Sequence, residues 1–161
     1  MIPFSLLLLQ TAPKMLVVGD MAPDVSFSRP DGSTLRLSAL KGKVVVVEFS
    51  ILACPPCRVL APRLEELAAQ EPDVVFLTIC ADLPEAANEL LRLRPKDAKT
   101  VFLQDVRKED RSKMAAWKFG DPGYPSMYVI GKDGRMASRL IMAEEDPLIR
   151  LKARIAWAKA K

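Results

Sequence analysis

Two cysteines three residues apart, Cys54-Pro55-Pro56-Cys57, stand between an apolar run and an amphipathic stretch, and this junction restricts the chain more than any other feature. Upstream, Val44-Val45-Val46-Val47-Glu48-Phe49-Ser50 reads as a central strand buried on both faces. Downstream, Leu60, Leu64, Leu67 and Ala68 recur at helical spacing, with Arg58, Glu65, Glu66 and Glu71 on the solvated side. At a strand-to-helix turn, an i,i+3 pair sets both sulfurs over one helical turn, within bridging range. Cys54 then falls at the helix start, where unpaired backbone N–H groups favour a thiolate. Pro56 has no N–H to lose there and stiffens the intervening loop. Half a zinc site, or two unrelated core cysteines, are the competing readings. A tetrahedral zinc site takes about four ligands, whereas the chain has no histidine and one further cysteine, Cys80. A reversible dithiol–disulfide pair is therefore favoured and no metal is expected.

With 161 residues, half of them hydrophobic, the chain is long enough for one domain with a sizeable core. Such a core needs no disulfide, which leaves the pair free to cycle. A net charge of +4 is mild. Its C-terminal cluster, Arg150, Lys152, Arg154, Lys159 and Lys161, reads as a solvated helix face, with a membrane or acidic partner as the alternative. No basic patch interleaved with aromatics points to nucleic acid. Residues 2–9 are apolar but too few to span a bilayer, and no basic residue precedes them as in a secretion signal. Residues 1–16 are thus set apart as an N-terminal extension: a truncated signal, an anchor or a segment packed on the domain. Residues 17–161 form the domain proper.

Alternating strand and helix signals run through that domain. A short strand near residues 25–28, the Asp31-Gly32 turn and a second strand at 34–37 form a hairpin. The buried strand and cysteine helix follow, the latter interrupted by Pro62, which should kink it. Residues 73–79 form the next strand, with Cys80 at its end. A helix over 83–93 follows, stopped by Pro95, then a strand over 100–103. Residues 110–119 form a short helix that turns Trp117 and Phe119 inward. A strand at 127–130, the Lys132-Asp133-Gly134 turn and its antiparallel partner at 135–142 lead to a helix over 146–160 carrying Leu148, Leu151, Ile155 and Trp157 inward. This order indicates a three-layer α/β domain with a central mixed β-sheet flanked by helices. Asp105, Glu109 and Asp110 read as solvated surface, and Cys80 as a buried small hydrophobe, with an auxiliary thiol as the alternative.

A strand, a Cys-x-x-Cys and a helix, followed later by Tyr124-Pro125 before a hairpin, resemble the thioredoxin-like fold. Gly19-Asp20-Met21-Ala22-Pro23-Asp24, Asp31-Gly32, Leu40-Lys41-Gly42-Lys43, the valine strand and Cys-Pro-Pro-Cys look like its TlpA-like branch of bacterial thiol-disulfide oxidoreductases. The resemblance covers roughly residues 17–158. It implies that Cys54 is the attacking, solvent-exposed cysteine and Cys57 the resolving one, that Glu48 is the acidic residue beneath the pair, and that Pro125 is a cis-proline facing it. Tyr124 matches the residue whose backbone pairs with a bound peptide, with Ala53, Pro55 and Pro56 completing the contact surface. The implied partners are protein thiols or disulfides and a membrane-bound electron donor, for a monomer without cofactor in the periplasm or another extracytoplasmic space, often in cytochrome c maturation. A cytoplasmic setting stays open.

The chain departs from the pattern in three places. Ala53 stands where the branch usually has tryptophan, Ser50-Ile51-Leu52 replaces a Trp-Ala-Ser/Thr-like stretch, and Tyr124 is bulkier than the usual threonine or valine. Glu48 shares a strand face with Val44 and Val46, opposite Val45, Val47 and Phe49. Given the resemblance, it reads as proton acceptor for Cys57; a carboxylate reaching solvent or pairing with lysine is the alternative. Peroxide reduction is disfavoured, because Val47 and Ile51 occupy the positions where peroxiredoxins carry proline and threonine. A non-catalytic peptide-binding or chaperone domain remains a competing reading.

Overall fold

The computed structural model describes residues 13–105, 111–121, 123–141 and 146–161. Every residue of the valine strand, β3 (Val45–Ser50), is buried. The first hairpin forms β1 (Ser26–Ser28) and β2 (Thr34–Arg36), and Leu37–Leu40 make a 3₁₀ turn before β3. Helix α1 (Pro55–Gln70) follows, then β4 (Val75–Cys80), α2 (Pro84–Arg92), β5 (Val101–Gln104), a 3₁₀ turn at Arg111–Lys113, α3 (Ala115–Lys118), β6 (Ser126–Ile130), β7 (Met136–Ile141) and α4 (Pro147–Lys159). Among the described residues the sheet has seven strands in the order β2-β1-β5-β4-β3-β6-β7. Its centre, β3-β4-β5, is parallel, and β6 joins β3 antiparallel. Parallel neighbours need a crossover helix, which α1 and α2 supply.

Strand alternation sorts the core into two faces. Val45, Val47 and Phe49 pack with Leu77, Ile79, Phe119 and Tyr128. There the Phe49 ring lies 5.3 Å from Phe119, which is 4.9 Å from Tyr128. The buried Tyr128 hydroxyl donates to the Phe119 carbonyl at 2.8 Å, so the polar tip of this aromatic group has a partner. Val44 and Val46 face the other way, onto Leu60, Leu64 and Leu67 of α1 and Leu148, Leu151 and Ile155 of α4. Leu16, placed in the extension on sequence, is buried in the first cluster. Its neighbourhood is close: a Cβ on Gly120 (φ +94°) would stand 3.2 Å from the Lys14 carbonyl oxygen, so both backbone conformation and space call for glycine.

Several expectations are corrected. Asp105 is not surface. It is 4% exposed, and its carboxylate accepts from the Ala115 and Ala116 amides at 2.9 and 2.8 Å. It thereby serves the start of α3, whose amides lack helical partners. The expected helix across 110–119 is accordingly split into a 3₁₀ turn and the four-residue α3. Glu109 and Asp110, residues 1–12 and Met142 lie outside the described residues. Trp157 faces outward, 44% exposed, with Lys161 Nζ 5.1 Å from its ring centre. Glu65 and Glu71 are not simply solvated: Glu65 meets Arg94, and Glu71 with Asp73 holds Lys159. Pro62 lies inside α1, as read from the sequence.

Candidate active site

The chain leaves β3 at Ser50, turns through Ile51 and Leu52, and enters α1 with Cys54 as its N-cap. Cys54 and Cys57 form a disulfide, S–S 2.01 Å and Cα–Cα 5.3 Å. Pro55 and Pro56 occupy the first helical positions, where two of the otherwise unpaired amides are simply missing. The first amide left is that of Cys57, and it donates to Cys54 Sγ at 3.2 Å. On reduction the same N–H and the positive end of the helix are aimed at the Cys54 sulfur, which lowers the energy of its thiolate.

Both cysteines are buried. Cys54 is 6% exposed and Cys57 3%, so the expected solvent-exposed character of Cys54 does not hold in the disulfide form. Ala53, Pro55 and Pro56 around Cys54 are exposed. On one side the Phe49–Ser126 pairing carries the chain before β6 to the end of β3 that launches the cysteine loop. The Tyr124–Pro125 bond there is cis. Tyr124 lines a cavity of about 140 Å³ with Ile51, Asp82, Trp117 and Asp121.

On the other side, a larger, mostly apolar cavity of about 330 Å³ lies between α1 and the end of α2. Its wall includes Cys57, Leu90, Leu93 and Phe102, and Glu48 lines it as well. Glu48 is 4% exposed. Burial pushes its carboxyl up to about 8, against the opposing pull of a hydrogen bond from Ser50, the charge of Arg94 and a hydrogen bond with Thr78. Glu48 and Cys57 thus line the same cavity.

Beyond Glu48 lies a polar cluster that sequence reading missed. Glu65 and Arg94, each 15% exposed, pair at 3.1 Å. Thr100 binds both: its hydroxyl donates to Glu65 Oε1 at 2.7 Å, and Arg94 Nη2 donates to its Oγ1 at 2.8 Å and to its carbonyl at 2.6 Å. The Thr100 amide donates to Glu65 Oε2 at 3.0 Å, and the Lys99 amide donates to the same oxygen. Thr78 Oγ1 lies 3.2 Å from Thr100 Oγ1. The available signal was the period of β4 (Val75–Cys80), which gives Thr78 and Glu48 adjacent places in register. Cys80, at the β4 end opposite Ser50, is fully buried and free, its thiol pushed up to about 12, chiefly by burial.

A mixed sheet with a Cys-x-x-Cys disulfide capping the helix after its central strand, and a cis-proline strand alongside, defines a thioredoxin-like redox protein. The Redoxin family model matches residues 17–149, and the chain belongs to that family. Thioredoxin H8 of Arabidopsis thaliana is 50% identical over 50 residues, 30% of this chain and 34% of that protein. A Thioredoxin H-type of Fagopyrum esculentum is 29% identical over 108 residues, 67% of this chain and 68% of that protein. The chain spans 34% and 43% of the length of two of the curated relatives it matches. Among solved structures, a protein of Chlorobium tepidum provisionally named thiol:disulfide interchange protein DsbE superposes with a TM-score of 0.77 at 23% identity, covering 89% of this chain and 98% of that one. A secreted Mycobacterium tuberculosis disulfide oxidoreductase homologous to E. coli DsbE gives 0.67 at 21%, covering 83% and 96%. At these identities the likeness is one of fold.

Proposed function

We propose that this protein is a thiol-disulfide oxidoreductase that exchanges disulfides with protein partners through Cys54 and Cys57. The observation that carries the reading is the Cys54–Cys57 disulfide at the start of α1, with Cys57 and the buried Glu48 lining one cavity. In the reducing direction the Cys54 thiolate attacks a partner disulfide, one partner sulfur leaves as thiolate, and a mixed disulfide forms. The Cys57 thiol then gives its proton to ionised Glu48 and attacks Cys54 Sγ. The second partner sulfur leaves, and two electrons have passed to the partner. In the reverse direction a partner thiolate attacks Cys54, Cys57 is expelled, and protonated Glu48 returns the proton. A group near 8 serves both directions because its affinity for a proton lies close to that of a thiol.

Ala53, Pro55 and Pro56 form the exposed rim on which a partner segment rests, with Tyr124 and Pro125 opposite. The finer reading is maturation of extracytoplasmic proteins, cytochrome c among them, with electrons from a membrane-bound donor. It is supported by the TlpA-like pattern and by the fold shared with a secreted disulfide oxidoreductase. Among the described residues no helix is long and apolar enough to cross a membrane. The test is turnover of a protein disulfide together with trapping. Cys54→Ser should abolish turnover, and Cys57→Ala should accumulate a mixed disulfide with a specific cellular protein. Undiminished turnover by Cys54→Ser would refute the assignment.

A further inference from the structure

The terminal helix α4 (Pro147–Lys159) carries two apolar stripes, and the fold uses one of them. Leu148, Leu151, Ile155 and Ala158 are buried against the domain. On the opposite side Ile149, Ala153, Ala156, Trp157 and Ala160 are all exposed. Their i, i+4, i+7, i+8, i+11 spacing keeps them on one face, over about 16 Å of helix. Alanines alone would express helix propensity, but Ile149 is 67% and Trp157 44% exposed, so two large apolar side chains stand in water along this stripe. Helix phase borders it with Lys152 and Lys159 on one side and Arg150, Arg154 and Lys161 on the other. From Pro147 to Lys161 there are five cations and no acid. Glu71 and Asp73 hold Lys159, and Lys161 covers the Trp157 ring. The neighbouring α1 adds both Arg63 and Glu66 beside Lys152, which leaves the positive excess of α4 in place.

We propose that this face adsorbs the protein to an anionic lipid surface, with Ile149 and Trp157 entering the boundary between headgroups and acyl chains and Lys152, Arg154 and Lys161 meeting the phosphates. An exposed apolar stripe between two cationic borders is the pattern of a helix that lies in a membrane interface. Tryptophan suits that depth because one end of its ring is apolar and the other polar. Lysine and arginine reach the phosphates while their stems stay on apolar surface. The 13 residues of α4 lie on such a surface and are too few to cross it. A second copy fits less well, since pairing this stripe with itself brings the cationic borders of both chains together. Arg63 of α1 pairs with Asp146 at the start of α4, and Glu71 beyond the α1 end pairs with Lys159, so the two helices run the same way. Adsorption through α4 therefore points the cysteine end of α1 along the membrane plane, toward proteins held on the same surface.

The test uses the full oxidised chain with vesicles of phosphatidylglycerol and phosphatidylcholine, read by flotation, with phosphatidylcholine alone as the neutral control. The chain should float with the anionic vesicles and not with the neutral ones, and salt should release it. Each cation at the headgroups strengthens binding roughly fivefold. Lys152→Gln combined with Arg154→Gln should thus weaken it roughly 25-fold and leave disulfide turnover unchanged. Lipid brominated at the shallow end of its acyl chains should quench the emission of the bound protein. Trp157→Phe leaves Trp117 as the one tryptophan and should lose that quenching. Flotation that the glutamine pair does not weaken, or quenching that survives in Trp157→Phe, would assign the contact to another surface, the apolar residues 2–9 among them, and overturn the proposal. Failure to float with anionic vesicles overturns it as well, including the case where α4 instead pairs with a second copy or holds an acidic protein.

Discussion

Replacing Glu48 by glutamine should make the folded protein markedly less sensitive to a rise in pH from about 4.5 to 8. In the folded chain the Glu48 carboxyl is pushed up to about 8, from an ordinary value of 4.5, mainly by burial. Below about 4.5 the group is protonated whether the chain is folded or not, and its environment costs nothing. Between 4.5 and 8 the unfolded chain releases the proton and the folded chain keeps it. Stability then falls by about 1.4 kcal/mol per pH unit. Above 8 both states are ionised and the loss is complete, at about 5 kcal/mol, a large part of the 5–15 kcal/mol typical of a domain. Glutamine fills nearly the same volume and has no such transition. Urea unfolding of the disulfide form at pH 5, 6, 7 and 8, for both proteins, isolates the effect, since all other titrating groups cancel in the difference. Glu48→Gln should gain on the parent by roughly 1.4 kcal/mol at each step. Parallel stability–pH curves would refute a buried, protonated Glu48, and with it the proton transfer assigned to it.

Glu65→Ala should cost about 2–3 kcal/mol in the same urea assay, because it strands Arg94 and removes the acceptor of the Lys99 and Thr100 amides and the Thr100 hydroxyl. A loss below 0.5 kcal/mol, the range of an ordinary exposed ion pair, would show that the cluster is not held as described. Tyr128→Phe keeps the ring contacts with Phe49 and Phe119 and deletes the bond to the Phe119 carbonyl. It should lower stability by about 1 kcal/mol with unchanged disulfide exchange, and an unchanged melting profile would deny that bond its weight.

The parts of the fold governed by short-range pattern were readable from the chain. A run of β-branched valines favours a strand covered on both faces, and β3 is such a strand. Asp31-Gly32 and Asp133-Gly134 demand turns, with Gly32 at φ +84° and Gly134 at +81°. The cysteine pair followed from its spacing at a strand-to-helix turn and from the lack of further zinc ligands. Misreadings arose where a charged residue finds its partner far along the chain. Glu65 looked solvated because its helix position is peripheral, yet it meets Arg94 and Thr100 on another segment. Asp105 looked like surface because its ligands, the amides of α3, come ten and eleven residues later. Trp157 reads as inward among the apolar residues of its helix, but helix phase gives the buried face to Leu151, Ile155 and Ala158. Periodicity reports which face of an element is apolar. It carries no record of which distant polar group will meet a given charge.

The burial of Cys80 decides how many ways out a captured partner has. Three sulfurs serve this end of the sheet, and Cys80 sits beside Ser50, at the root of the cysteine loop. With its thiol pushed up to about 12, chiefly by burial, it stays protonated at neutral pH and is a poor nucleophile. The third sulfur is electrically silent while its two neighbours turn over. In the exchange proposed above, a mixed disulfide on Cys54 accordingly has one internal exit, through Cys57.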